Sequence, residues 1–539
     1  MIKLIAENKI KLIFALMIVV GVYVHKDYGL SIDDEIYRLN GIFYKDFIIK
    51  YLFNLYNLDF SNFNLLEQEI SNNPLSNHPA LFEIILAFIE DVFSLKDTNI
   101  IFSVSHFINY SIYIFSLALF YKLLKKRFNS EKVAIFSILL IYFYPRFFAE
   151  SFYNSRDIFF VSIFIINLYS LEILLTFENK KNIILFAFTT ALLISTKILG
   201  LICFLIFLFI YSINKFSYQF KKKDLKKVIF LLLFILFFLI ILWPYLWLNP
   251  LDNLIKAYTS IIKDHDDLEI LTLFLGDYYI STNAPSYYRI IWFFITTPII
   301  VCLLFLIGIS FLFNKTISQF SDFVEKKIRI YTNKNNFLDT YLFLTLISIV
   351  LLTMIYNSSQ FNGWRHLYFL FIPVIYISAY AYLILMSNKR KFIKILINCL
   401  VLLSLVYNTF WIIKFHPFQN NYFNILSKKF VQGNFDIDYW GLSNYQSIKF
   451  IIEEDKRDEI KIASMSFADL YVSFLRFNDE DKKRVKIVHK YEEADYIINT
   501  YMKRIGKDHK INVNNFTKFY EIKIDNIIVN TVFKKNENL

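Results

Sequence analysis

Glycine and proline are scarce, 10 and 9 among 539 residues, which excludes collagen-like, linker-rich and low-complexity chains. The three cysteines, Cys203, Cys302 and Cys399, each sit inside an apolar run. That leaves neither a disulfide framework nor the ligand spacing of a metal finger. Charge is thin as well: Asp, Glu, Lys and Arg make up 19% of the chain, against 56% hydrophobic and 19% aromatic residues. With a mean hydropathy of +0.44 the sequence is neither disordered nor ordinarily soluble, and it reads as a membrane protein whose first partners are lipids. The 58 basic residues outnumber the 46 acidic ones, for a net charge of +12. No stretch interleaves Lys or Arg with exposed aromatics outside the apolar runs, so no nucleic-acid partner is expected. A Gly-rich phosphate loop is missing too.

What is present is a series of apolar runs. A spanning helix needs about 20 mainly apolar residues, and eleven candidates fall at 9–25, 99–123, 133–148, 158–176, 182–195, 199–213, 227–248, 290–313, 337–356, 367–386 and 393–413. No small-residue cleavage site follows the first, so it reads as an uncleaved anchor. Alternate connections collect Lys and Arg, including Lys122, Lys125, Lys126 and Arg127, then Lys180 and Lys181, and later Lys389, Arg390 and Lys391. By the positive-inside rule these face the cytoplasm. Residues 26–98, 146–157, 249–289, 357–366 and everything after about 414 then lie outside. The expected fold is mainly α: a polytopic bundle over 1–413, in the inner membrane, followed by a small extracytoplasmic α/β domain over 414–539. The tail supports this with strand-like runs at 460–463, 485–489 and 496–500, a helical run at 468–477, and a hairpin pair, 518–524 and 527–533, about Asp525 and Asn526.

The unusual polar residues gather on the outer side although they come from distant parts of the chain. Asp33, Asp34 and Glu35 open an amphipathic helix carrying Ile36, Leu39, Phe43 and Phe47. They suit a capping box with Ser31, or else a general base or metal ligand at the membrane surface. His78 stands between Asn77 and Pro79 at the entry to another apolar helix, as a neighbour of the cap or as a site residue. Arg146, Arg156 and Asp157 precede the fourth span, and Arg365 and His366 follow Trp364. Outer arginines run against the charge bias and suit either an anion or snorkelling to headgroups. His265, Asp266, Asp267 and Glu269 read as a solvated acidic turn or as ligands for a divalent cation. The stretch from Asp438 through Tyr439 and Trp440 to Ser443 reads as packing or as a cover for the site.

On these residues the chain resembles the integral-membrane glycosyltransferases of the GT-C class, close to the family 39 group of protein O-mannosyltransferases and lipid A aminoarabinose transferases. The resemblance rests on the Asp34-Glu35 pair after the first span, on His78-Pro79-Ala80-Leu81, on Arg156-Asp157, and on Tyr287-Tyr288 ahead of Pro298. It departs from the family at Ala80, where a second proline is common, and in the close spacing of Arg156 and Asp157. The resemblance implies a polyprenyl-phosphate sugar donor and a lipid, glycan or protein acceptor. It gives the role of base, or a place beside the acceptor, to Asp34, with Asp33 as its rival and Glu35 and Asp157 beside them, and the donor phosphate to Arg156, Arg365 and Arg146. Substrate contacts fall to His78, His366 and Tyr288. The resemblance names no certain cofactor; a divalent cation at the 265–269 acids is the one candidate. A transporter, flippase or ligase of lipid-linked glycans is the rival reading. Transport would need ionisable groups within the spans, for which Lys197 and Glu172 are the candidates.

Overall fold

The computed structural model describes residues 2–57, 62–216, 222–267, 270–326, 333–356, 359–503 and 515–536, apart from the side chains of 2–8, 64, 214–216, 260–267 and 326. The chain is mainly helical, and its helices run in order as α1 (Ile2–Val24), α2 (Asp34–Tyr56), α3 (Phe63–Asn72), α4 (Leu81–Val92), α5 (Thr98–Phe128), α6 (Glu131–Tyr142), α7 (Pro145–Tyr153), α8 (Asp157–Thr176), α9 (Lys180–Ile194), α10 (Leu199–Phe216), α11 (Lys222–Leu242), α12 (Pro250–Asp267), α13 (Tyr288–Thr296), α14 (Ile299–Lys326), α15 (Lys334–Ile355), α16 (Phe371–Ser387) and α17 (Lys391–Lys414).

Among the described residues, seven helices are long and apolar enough to cross a membrane, or eight if the bent pair α6 and α7 is one span. The count of eleven is therefore not confirmed, and local chemistry breaks or shortens several of the expected runs. Pro145 removes an amide and stops α6 from continuing, so α7 leaves at 67°. Between α9 and α10 the Ser195 and Thr196 hydroxyls both donate to the Leu192 carbonyl, competing with the helix ladder. The two runs stay short. Thr297 is extended (φ −79°, ψ 140°) ahead of Pro298, as the residue before a proline prefers. The expected 290–313 span therefore splits into α13 and α14.

Two small sheets lie at one end of the bundle. Strands β1 (Leu271–Phe274) and β2 (Asp277–Ile280) form a hairpin in the 249–289 loop, which the sequence reading lacked. The tail folds as β3 (Ile460–Ser464), β4 (Val485–Ile487), β5 (Tyr496–Asn499), β6 (Phe516–Ile524) and β7 (Ile527–Lys535) in the order β4-β3-β5-β7-β6. The first three are parallel and the last two form an antiparallel hairpin. Asp525 and Asn526 both take positive φ, 50° and 69°, as a tight two-residue hairpin turn requires. Alternating Ile460, Ile462, Ile498 and Val532 bury one face against Ile448 and Ile451. The sheet region docks through Arg476, which donates to the carbonyls of Lys26 (2.6 Å) and Asn99 (3.1 Å) and to Ser103 Oγ (2.9 Å). That brings it to the end of the bundle where α2 begins and α5 starts.

Candidate active site

Separate segments deliver ionisable side chains to one place, each by its own local device. At the start of α2 the Ser31 amide donates to Asp34 Oδ2 at 2.7 Å. This is half of a capping box; it fixes the first turn around Asp34 and leaves Asp33, the residue just ahead of the helix, at the surface of the cluster. Within α2, Gly41 permits a close crossing: a Cβ there would stand 2.4 Å from the Glu83 carbonyl oxygen. The approach holds α4 in place and with it the buried Glu83, whose Oε1 lies 3.3 Å from Arg156 Nε.

Asn154 governs the α7–α8 connection. Its side chain accepts from the Asp157 amide (2.9 Å) and donates to Glu150 Oε2 (2.7 Å) and Asp157 Oδ2 (3.0 Å). The break between α9 and α10 presents Lys197, which pairs directly with Asp157 Oδ1. Finally Asn362 and Gly363 take positive φ, 54° and 71°, turning the chain sharply before Trp364; the Gly363 amide donates to the Tyr288 hydroxyl at 3.0 Å. This turn delivers Arg365, whose Nη1 lies 3.0 Å from Asp33 Oδ2 and 3.8 Å from Asp157 Oδ2.

Two guanidinium groups rest on aromatic faces, Arg365 over Trp440 at 4.3 Å and Arg156 over Tyr37 at 4.0 Å. The Tyr37 hydroxyl reaches Asp33 Oδ2 at 3.4 Å. The Arg365 and Asp157 side chains are 7% and 2% exposed, and while Arg156 Nε faces Glu83, Arg156 Nη2 and Arg365 Nε are buried without a hydrogen-bond partner. Burying an unpaired donor costs about 1–3 kcal/mol, so these two nitrogens call for acceptors. The arrangement offers an oxyanion two guanidinium forks and an ammonium beside a carboxylate.

The structure thus brings together Asp33, Asp157, Arg156 and Arg365. Asp34, the next residue along, turns its carboxylate back to the Ser31 amide, and burial pushes its carboxyl up to about 7. Glu35 turns toward Arg38 (3.6 Å), itself held by Glu90 at 2.8 Å; burial raises the Glu35 carboxyl as well. Arg146 donates to the Tyr422 carbonyl (2.9 Å) and the Tyr439 hydroxyl (3.2 Å) and stacks on Phe423. It joins the bundle to the segment leading into the tail. His78 lies in the turn before α4, its amide donating to the Leu75 carbonyl at 3.0 Å. His366 meets the Phe361 ring edge-on at 5.0 Å. Tyr288 is buried, its hydroxyl 3.1 Å from Thr272 Oγ1.

Lys197, Glu83, Tyr37 and Trp440 complete the cluster; sequence reasoning offered Trp440 as packing or a cover for the site and assigned none of the other three to it. Lys197 and Glu83 had a legible signal, a lone charge within or between apolar runs. The candidate cation ligands His265, Asp266, Asp267 and Glu269 lie outside the described side chains. Among the described residues no group of three or more His, Cys, Asp or Glu could hold a metal ion.

No protein-family model matches the chain, and no curated protein does. Solved structures do. ArnT from Cupriavidus metallidurans in the apo state superposes with a TM-score of 0.50 at 10% identity over 98% of each chain. The same protein bound to undecaprenyl phosphate gives 0.47 at 10% identity, over 97% of this chain and 98% of that one. The apo oligosaccharyltransferase of Archaeoglobus fulgidus gives 0.44 at 10% identity over 78% of this chain. This chain spans only 57% of that enzyme's length. The chain shares the fold of ArnT from Cupriavidus metallidurans, with a small sheet region at its C-terminus.

Proposed function

We propose that the chain is a membrane glycosyltransferase that moves a sugar from a polyprenyl-phosphate donor to an acceptor on the outer face of the cytoplasmic membrane. The observation that carries this reading is the set of unpartnered guanidinium nitrogens on Arg156 and Arg365 beside the Asp33 carboxylate. Phosphate oxygens are the acceptors such forks match best. Electrostatic stabilisation of a departing charge by preorganised donors is commonly the largest catalytic term.

The acceptor hydroxyl oxygen attacks the anomeric carbon, the bond from that carbon to the phosphate oxygen breaks, and the polyprenyl phosphate departs toward Arg156, Arg365 and Lys197. Asp33 takes the hydroxyl proton. A phosphate bound to Arg365 competes with Asp33 for the same Nη1, which lies 3.0 Å from the carboxylate, and so frees Asp33 to face the acceptor. The leaving group gains one negative charge as Asp33 loses one, so the net charge of the site stays constant through the step. A single displacement inverts the anomeric centre. Asp157, locked by Lys197 and Asn154, positions the cations.

A flippase reading gains little, because its two candidate charges have local partners. Lys197 pairs with Asp157, and Glu172 pairs with Lys126 (2.7 Å) and Lys334 (3.1 Å). A ligase of whole lipid-linked glycans would share the donor and the cluster. Mass spectrometry of envelope glycans from cells with and without the gene tests the proposal. A sugar lost with the gene and regained with the wild-type copy, but not with Asp33→Asn, is the expected result. An unchanged glycan profile overturns it.

The domain division at 413/414 and the outer placement of the tail belong to the same proposal. Charge bias supports them, as does the docking of Arg476 beside the start of α2. An alkaline phosphatase fusion after Phe533 should be active, and a cytoplasmic reporter there silent.

A further inference from the structure

A cavity of about 280 Å³ lies apart from the ion cluster, between the β1–β2 hairpin, the 432–437 segment and the chain just past β3 and β5. Those two strands are parallel neighbours, and the carboxyl ends of parallel strands are where such sheets offer a crevice to ligands. The walls carry complementary polar groups around one aromatic face. Tyr278 supplies the ring, with Lys503 Nζ 3.8 Å from its centroid. Asp436 is buried and takes both its hydrogen bonds, from Thr272 Oγ1 (2.8 Å) and the Leu273 amide (3.1 Å), on Oδ2. Oδ1 has no partner among the described residues. Burial pushes this carboxyl up to about 7, so it can accept or donate near neutral pH. Asn499 Oδ1 is occupied by the Tyr501 amide (2.8 Å) and Ser466 Oγ (3.2 Å), and Gln432 Oε1 by the Ile528 amide (2.8 Å). Each amide thus keeps its NH2 donors for a ligand.

One carboxyl oxygen, two amide NH2 groups, an ammonium and a phenol ring suit a polyol with an apolar face, which is a sugar ring. Lys503 is the one cation among the lining residues and no arginine joins it, so the cavity lacks the forked donors that a phosphate favours. A peptide added as a strand would need a free edge, but β5 is paired on both sides, with β3 and β7. The volume sits near the lower limit of small-molecule pockets, about 300 Å³, and fits one ring.

The cavity is wired to the ion cluster. Asp436 bonds Thr272, Thr272 Oγ1 lies 3.1 Å from the Tyr288 hydroxyl, and that hydroxyl takes the Gly363 amide at 3.0 Å, two residues before Arg365. Along the chain, Asp436 is four residues from Trp440, on which Arg365 stacks, a span of at most about 14 Å.

We propose that this cavity is the acceptor subsite and that the acceptor is a glycan, one ring of which lies against Tyr278 between Asp436 and Asn499 while a neighbouring hydroxyl reaches Asp33. The proposal rests on the glycosyltransferase reading above, and its test separates the two. The full-length protein in nanodiscs is titrated with methyl hexopyranosides, methyl N-acetylhexosaminides and short oligosaccharides released from the cell's own envelope glycan, followed by saturation-transfer NMR. Polyprenyl phosphate binding is measured in parallel. At least one glycoside should bind saturably, tenfold or more weakly to Tyr278→Ala and Asn499→Ala, and with near wild-type affinity to Tyr278→Phe, which keeps the ring. Polyprenyl phosphate affinity should be the same in all four proteins. If wild type binds polyprenyl phosphate but no glycoside, or if Tyr278→Ala binds glycosides as wild type does, the acceptor subsite is overturned and the transferase reading stands. A protein-linked transfer product also overturns it. Failure of wild type to bind polyprenyl phosphate removes the transferase reading instead.

Discussion

Two ion clusters sit at helix ends of this bundle, and they differ in how completely their hydrogen bonds are made. In the cluster centred on Asp339 of α15, the carboxylate accepts from Arg127 Nη2 at 2.7 and 2.8 Å and Nε at 3.0 Å, from Lys315 at 2.6 Å and from the Tyr376 hydroxyl at 2.5 Å. No buried nitrogen or oxygen of Arg127, Lys315 or Asp339 lacks a partner. In the cluster around Asp33 and Asp157, by contrast, Arg156 Nη2 and Arg365 Nε are buried and unpartnered. Both clusters have desolvated charges, which are costly to bury and strongly destabilising to break. A saturated network has already spent its donors on the fold, whereas an unsaturated one holds them for something that arrives. On the proposed function the Asp33 end is the binding end, and the saturated Asp339 end is a clamp between helices.

Substitutions can break or sharpen that contrast. The largest effect is expected from Asp33→Asn, which keeps shape but cannot take a proton. Loss of a general base costs about 10²–10⁴-fold in rate, so transfer in a reconstituted assay should fall by that much while expression and membrane insertion persist. At the other end Asp339→Asn strands Arg127 and Lys315. Breaking a buried pair costs about 3–5 kcal/mol, so the thermal midpoint in detergent should drop, with polyprenyl phosphate affinity intact in the folded fraction. Arg365→Lys and Arg156→Lys should do the reverse. Each forfeits a charge-assisted hydrogen bond worth about 1.5–3 kcal/mol, weakening polyprenyl phosphate binding by about 10–100-fold with little change in thermal midpoint. Lysine variants that bind the lipid normally, or an Asp339→Asn protein that loses the lipid but not its stability, would erase the distinction between the two ends.

Much of this was legible in the sequence, and what was not has physical causes. Apolar runs identified the seven long spans because a spanning helix writes its length directly into composition. The breaks at Pro145, Ser195–Thr196 and Pro298 are local events inside apolar stretches, and they turned expected spans into bent or short helices. The tail's strands were legible from their alternation, and the Asp525-Asn526 turn from its residues. Arg156, Arg365 and Asp157 stood out because charge at a span end is expensive. Their convergence with Lys197 and Glu83 depends on helix crossings such as Gly41 against α4, which no local pattern records. The order of acids in Asp33-Asp34-Glu35 was also beyond sequence, since all three suit a first turn and only the Ser31 bond to Asp34 separates their roles.

That separation leads to the smallest effect and the sharpest assignment. Burial raises the Asp34 carboxyl from its ordinary 3.8 to about 7, so between those values the folded protein holds a proton that the unfolded chain has released. Stability from this group is fully present below about pH 4 and is lost as pH rises through about 7. The wild-type thermal midpoint should therefore decline from about pH 5 to pH 8, and Asp34→Asn, which mimics the protonated cap in shape and charge, should flatten that decline. If Asp33 is the acceptor base, Asp34→Asn also keeps turnover within about tenfold of wild type, far short of the loss of about 10²–10⁴-fold expected when the base itself is removed. Suppose instead that wild-type turnover climbs through pH 7, and that Asp34→Asn is as inactive as Asp33→Asn while remaining folded. The proton acceptor would then be the capping acid, and the ion pair between Asp33 and Arg365 would serve to hold the phosphate-binding arginine in place.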